Sequence, residues 1–179
     1  MNTENISIRQ ALHCDIPQIV ELLKFVASES NGASQFDEHH SWEHVTGIVC
    51  NGVSFIAVLG DEIVGVIMCS YVNMGFVQTT HLETAHLYVL PSARNTRATA
   101  NLLTAVEDYA DRHEVVLILH QMDYQSAIYG GENNSLRVER LFRFRGYKGP
   151  VDTATVGPEQ RRVGVSYRYV GVEKGATNN

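Results

Sequence analysis

The chain holds only three cysteines, Cys14, Cys50 and Cys69, far apart and without a C-x-x-C spacing. So small, odd and scattered a set excludes a disulfide framework or a thiolate zinc cage, and it fits thiols kept reduced. Long apolar runs are missing too: no stretch approaches the roughly 20 residues that a helix needs to cross a bilayer. The start, MNTENISIRQ, lacks the basic-then-apolar layout of a signal peptide. The expectation is a cytoplasmic protein with no membrane partner. Positive charge is short as well, with 14 Lys and Arg against 20 Asp and Glu and a net charge of −6, so nucleic acid is not an expected partner. Internal repeats and low-complexity segments are absent. A last absence is local. LYVLPSARNTRATANLL, Leu87 to Leu103, passes from an apolar strand through a loop with two arginines into a helix, without one glycine.

What is present describes one domain with a sizeable core. The chain has 179 residues, 44% hydrophobic and 19% charged, and the expected layout is a single domain over residues 1–173 with a flexible tail at 174–179. Ile6 to Arg9 alternates apolar and polar residues as a first strand does. Asp15 is placed to cap a helix in which Pro17 suits the first turn and Ile16, Ile19, Val20, Leu23 and Val26 repeat at helical spacing. Ser41 opens a second short helix that stops at Gly52, where glycine offers a left-handed end. Two β-branched runs then flank the turn Gly60-Asp61-Glu62, which predicts a hairpin. HLETAHLYVL is a further strand ended by Pro91, residues from Ala98 to about His113 are helical, and Val115–Gln121 is a buried strand. After a long loop, Met122–Asn134, come a helix ended by Gly146 and a closing pair of strands expected as a hairpin. Strands that arrive as a hairpin run and then alternate with helices pack as a mixed sheet with helices on both faces.

That order, together with V-L-P-S-A-R at Val89–Arg94 and R-G-Y at Arg145–Tyr147, resembles the GNAT family of acyl-CoA N-acyltransferases. In that family the fourth strand ends in a V-x-P step followed by Arg or Gln, then x-x-G-x-G/A and a helix. Val89, Pro91 and Arg94 match, while Arg97 and Thr99 stand where glycines are usual. A late family motif, L-Y before a terminal x-G-F, is met by Leu141 and Gly146, with Phe142 in the tyrosine position and Tyr147 in place of phenylalanine. The resemblance implies an α/β (mixed α+β) fold with a largely antiparallel sheet of about seven strands, helices on both faces and a splayed central pair, the fourth and fifth. It also implies acetyl-CoA as acyl donor and an amine as acceptor.

The chemistry can be stated on the residues. Amides in the first turn of a helix lack intrahelical partners and carry the positive end of the dipole, so a pyrophosphate can be bound there mainly by main-chain atoms. Arg94, Asn95, Thr96, Arg97, Ala98 and Thr99 are the expected cradle, with charge from the arginines and donors from Asn95, Thr96 and Thr99. By the resemblance, the backbone of Leu87 and Val89 holds the pantetheine arm and acyl carbonyl. Strict alternation puts Glu83, Ala85, Leu87 and Val89 on one side of the strand and His86 on the other. Glu83 is the expected general base, since an ammonium near pKa about 10.4 must lose a proton before it attacks; His81 and His86 are the alternatives. Phe142 has no proton for a departing thiolate, and Tyr147 is the substitute assigned, with Tyr124 and Tyr129 as others. Thiols near pKa about 8.5 leave comparatively easily even without an acid. The absent glycines and tyrosine favour an alternative, a catalytically degenerate GNAT-fold binding or assembly protein of phage type.

His39, His40 and His44 cluster around Trp42, but no partner with metal-ligand spacing accompanies them, and no metal is expected. They fall on the acceptor side of the resembling fold. Arg137, Arg140, Arg143, Arg145 and Lys148 form a basic run that reads first as a solvated helix face. The closing strands offer an edge for a homodimer.

Overall fold

The computed structural model describes residues 6–29, 36–73, 80–94, 96–121, 144–147 and 162–166. In chain order these form β1 (Ser7–Gln10), α1 (Ile16–Glu29), α2 (Glu38–Asn51), β2 (Val53–Leu59), β3 (Glu62–Asn73), β4 (Thr80–Val89), α3 (Ala98–Arg112), β5 (Val116–Gln121) and β6 (Arg162–Ser166). The strands make one sheet in the order β1-β2-β3-β4-β5-β6. β1 to β4 pair antiparallel with their neighbours, whereas β4–β5 and β5–β6 are parallel.

Helices cover both faces, as the pattern required. Ile16, Ile19, Val20 and Leu22 of α1 pack with Val45 and Ile48 of α2 against Ile56, Val66, Met68 and Tyr88 on one face. Leu102, Leu103, Val106 and Ala110 of α3 pack against Ile67, Leu82, Val89 and Leu117 on the other. Among the described residues no helix is long and apolar enough to cross a membrane.

Several local expectations are corrected. α2 begins at Glu38 because the Asp37 carboxylate accepts the His40 N–H at 3.0 Å, while the Ser41 hydroxyl donates back to the Asp37 carbonyl at 2.7 Å. Gly52 ends that helix with φ −113, outside the left-handed region. A Cβ there would stand 2.3 Å from the Cys69 carbonyl oxygen, so close approach rather than handedness demands glycine. Gly60, with φ +62, does supply the left-handed residue of the β2–β3 turn. Asp15 caps in a shifted way: it closes a 3-10 turn, His13–Asp15, and its carboxylate accepts the Leu12 N–H at 2.7 Å. The sheet has six described strands. β6 is the second arm of the expected closing hairpin, and it lies parallel beside β5. The first arm from Lys148 on, the Met122–Asn134 loop, the helix carrying Leu141 and Phe142, and the tail at 174–179 lie outside the described residues.

Candidate active site at the β4–β5 opening

β4 and β5 pair only through His81↔Val116, Leu82↔Leu117 and Glu83↔Ile118. β4 runs six residues further, to Val89, and among the described strands only β3 pairs with that part. The two strands therefore part at Glu83, where the Thr84 hydroxyl donates to the Ile118 carbonyl at 3.3 Å. On the other edge the Leu90 N–H reaches the Val64 carbonyl at 2.8 Å around the Gly65↔Val89 pair. Antiparallel geometry then turns the N–H and C=O of Val89, and likewise of Leu87, away from β3 and into the opening. The fold thus turns the main chain of the two residues assigned to the acyl arm to the side away from β3.

The register of β4 corrects the alternation expected from sequence. Met68 faces His86 and Cys69 faces Thr84, so Ala85 is an extra residue, a β-bulge. Glu83 sits opposite Ser70 and His86 opposite Met68. Ala85, Met68 and Tyr88 belong to the α1/α2 face, and Leu82, Leu87 and Val89 to the α3 face. Glu83 therefore shares a face with His86 and not with Leu87 and Val89. His81, the other alternative, is buried on that strand.

Beyond Val89 the chain makes a 3-10 turn, Pro91–Ala93, and enters α3 at Ala98. Arg94 folds back: its Nε donates to the Val89 carbonyl at 3.1 Å and its Nη2 to the Tyr88 hydroxyl at 3.1 Å. The Thr96 hydroxyl is engaged by the helix start, donating to the Ala93 carbonyl at 2.6 Å and accepting the Ala98 N–H at 3.1 Å. Arg97 is exposed with φ −84 and ψ 5, so the missing glycine is not needed for a left-handed backbone. The Asn101 N–H closes the first helical bond on the Arg97 carbonyl at 2.8 Å. That leaves the N–H groups of Thr99 and Ala100 with no intrahelical acceptor. Ala98 is buried beneath them and Thr99 is half-buried; Asn95 lies outside the described residues.

A strand opening lies beside a proline-led turn and the start of a helix. The profile of the acetyltransferase (GNAT) family matches residues 16–128, well over half of the chain. The chain belongs to the GNAT acetyltransferase family. Solved structures share the fold at low identity. A possible acetyltransferase from Clostridium difficile 630 is 18% identical, with TM-score 0.64 over 85% of this chain and 97% of its own. A predicted acetyltransferase from Clostridium acetobutylicum, solved with acetyl-CoA, has 12% identity and TM-score 0.65, covering 86% of this chain and 96% of its own. An aminoglycoside N-acetyltransferase in complex with CoA has 15% identity and TM-score 0.59 over 83% and 91%. No curated protein matches the chain by sequence.

Within this GNAT domain two side-chain groups escaped the sequence reading. His44 on α2 and His86 on β4 meet with their Nε2 atoms 3.0 Å apart and their rings edge to face. Burial, then the neighbouring His44, pushes the His86 imidazole down to about 4. The wall that partly covers His44, and then His40, lowers His44 as well. The pair spans 42 residues of sequence, and only the bulge turns His86 to the α2 side. The second group is centred on Glu107, a buried acid on α3. It accepts from Arg145 Nε at 2.7 Å and from the Tyr147 hydroxyl at 2.8 Å on one oxygen, and pairs with Arg145 Nη2 on the other. Arg145, read in sequence as part of a solvated basic face, is a partner in this network. Tyr147 is 5% exposed and packs in the α3-side core with its proton held by a carboxylate.

Proposed function

We propose that the protein transfers an acetyl group from acetyl-CoA directly to an amine. The observation that carries this is the opening past Glu83, where the Val89 main chain faces the gap and α3 begins nearby with unpaired first-turn amides. In this reading the pyrophosphate rests on the start of α3 within Arg94–Thr99, aided by the Arg97 charge, and the pantetheine arm runs along Leu87 and Val89. The Val89 N–H polarises the thioester carbonyl. The acceptor nitrogen attacks the carbonyl carbon, the C–N bond forms, the C–S bond breaks, and the electron pair leaves on the CoA thiolate. Glu83 takes the proton that the nitrogen loses. Arg94 acts on the strand end, holding the Val89 carbonyl and Tyr88. Two solved relatives with the same fold carry CoA or acetyl-CoA, which supports the choice of donor.

A second reading, a binding protein without transfer, is favoured by one observation: the Tyr147 proton is engaged by Glu107, which leaves the thiolate without an assigned acid. Calorimetric titration with acetyl-CoA and CoA, followed by CoA release with a panel of amines, separates the two. Transfer predicts binding that weakens about tenfold in Arg97→Glu, worth roughly 1.4 kcal/mol, and a rate that drops in Glu83→Gln. Binding without release selects the second reading, and no binding at near-millimolar ligand removes both the donor and the cradle.

A further inference from the structure

On the α1/α2 face a cavity of about 410 Å³ opens between the two helices and β4, lined by Leu23, Val26, Phe36, Ser41, His44 and His86 among others. It stands toward the small end of the roughly 300–1,000 Å³ typical of small-molecule pockets. Three features give it chemical character. Its apolar walls are aliphatic side chains of α1 and the ring of Phe36, just before α2. Among the described residues that line it, the polar groups are the hydroxyl of Ser41 and the imidazoles of His40, His44 and His86, with no carboxylate. And His86 is a β4 residue, next in chain to Leu87, so the cavity reaches the strand that borders the opening.

We propose that this cavity is the acceptor site, that it takes a compact monoamine with an apolar body, and that the His44–His86 pair hydrogen-bonds the acceptor nitrogen. The inference rests on the acetyl-transfer reading and names the acceptor class for it. A polycationic acceptor needs carboxylates to offset each buried charge, because unpaired ammonium groups are costly to desolvate. Among the described residues this lining offers none. An apolar body instead gains from the walls of Leu23, Val26 and Phe36. The single nitrogen needs an acceptor for its N–H and no competing positive charge. Both histidines are held below their ordinary values, so the pair is neutral at pH 7 and presents ring nitrogens rather than cations. The bulge at Ala85 sets Glu83 on the same face of β4, which places the proposed proton acceptor on the side from which the amine arrives. The fold-level likeness to an aminoglycoside N-acetyltransferase therefore does not extend to the kind of acceptor.

The test compares phenethylamine with the polycationic aminoglycoside kanamycin, following CoA release from acetyl-CoA. The expected result is a kcat/KM for phenethylamine at least about tenfold above that for kanamycin. His44→Ala and His86→Asn should each raise KM for phenethylamine about tenfold, with the loss falling on KM rather than kcat. Ser41→Asp, near the start of α2 where a carboxylate is tolerated, should shift preference toward 1,4-diaminobutane, a gain that mere destabilisation cannot produce. Equal or better use of kanamycin overturns the proposal, as does an unchanged KM in both histidine variants. Titration of phenethylamine without acetyl-CoA, read on the His44 and His86 imidazole resonances by NMR, keeps the two inferences apart. Shifts at those rings without acetyl transfer retain the pocket and sink the enzyme reading. Transfer without such shifts retains the enzyme and sinks the pocket.

Discussion

Tyr147 is the residue on which the sequence reading and the geometry make opposite demands, and one substitution decides between them. Its hydroxyl donates to Glu107 Oε1 at 2.8 Å inside the α3-side core, so Tyr147→Phe removes one hydrogen bond to a charged acceptor and little volume. Such bonds contribute about 1.5–3 kcal/mol. The lower end applies, because Oε1 keeps the Arg145 Nε contact at 2.7 Å. For a chain of this length that corresponds to a fall in Tm of about 4 °C. Glu107→Gln is harsher. It removes one counter-charge from Arg145, whose side chain is only 17% exposed, and breaking a buried pair costs about 3–5 kcal/mol. The double variant should cost less than the two single changes combined, since the tyrosine loses its partner either way. Urea unfolding measures the stability terms, and CoA release at 20 °C measures turnover of the folded fraction. With Tyr147 as an anchor, Tyr147→Phe loses stability while turnover changes by less than about threefold. A fall of about a hundredfold in turnover at unchanged stability, within the range of a lost general acid, would refute the anchoring argument and restore the tyrosine as the proton donor.

Two further substitutions test the fold's local rules. Gly47→Ala in the exposed middle of α2 meets nothing within 4 Å and should stabilise by up to about 1 kcal/mol, whereas Gly52→Ala drives a Cβ to 2.3 Å from the Cys69 carbonyl oxygen and should destabilise by about 3 kcal/mol or more, both read by urea unfolding; equal effects would discard the close-approach account of Gly52. Arg9 grips the Asp15 carboxylate at 2.6 and 2.8 Å and, with the Leu12 N–H, holds it below the ordinary carboxylate range. A depressed folded pKa gives stability that is present above the unfolded value of about 3.9 and is lost as pH falls through the folded one. Asp15→Asn should therefore cost about 2 kcal/mol at pH 7, and the gap to the parent protein should close as pH falls below the unfolded value of about 3.9 and through the lower folded one; a gap that ignores pH would mean the carboxylate charge is not what Arg9 holds.

Much of the frame was legible because it depends on local patterns. Helical spacing fixed the buried side of α1 at Ile16, Ile19 and Val20, and β-branched runs about Gly60 fixed the β2–β3 hairpin. The glycine-free loop was legible as a strand-to-helix connection, since Arg97 takes φ −84 and needs no left-handed backbone. What escaped depends on partners far along the chain. Glu107 sits at an ordinary helical position, and Arg145 and Tyr147, 38 and 40 residues on, help explain why an acid is buried there. Gly52 looked like a helix stop, yet the atom that forbids a side chain belongs to Cys69 on the neighbouring strand.

The bulge at Ala85 is the least legible feature and the one that organises the site. Alternation assumes that two strands advance together, and no residue type in LETAHL announces that β4 gains one residue on β3. The extra residue sharpens bend and twist just past Glu83, and that is where β4 leaves β5. The same insertion reverses the faces beyond it. Without it, His86 would point toward α3 and Leu87 toward α2; with it, His86 meets His44, and Leu87 and Val89 join the α3-side core. One inserted residue thus both opens the gap that exposes the Val89 main chain and brings Glu83 and His86 onto one wall. A donor entering along the strand edge and an acceptor entering from the α1/α2 face would then converge on β4 from different sides. That arrangement suits direct transfer between two bound substrates, with no need for a covalent stop on the protein.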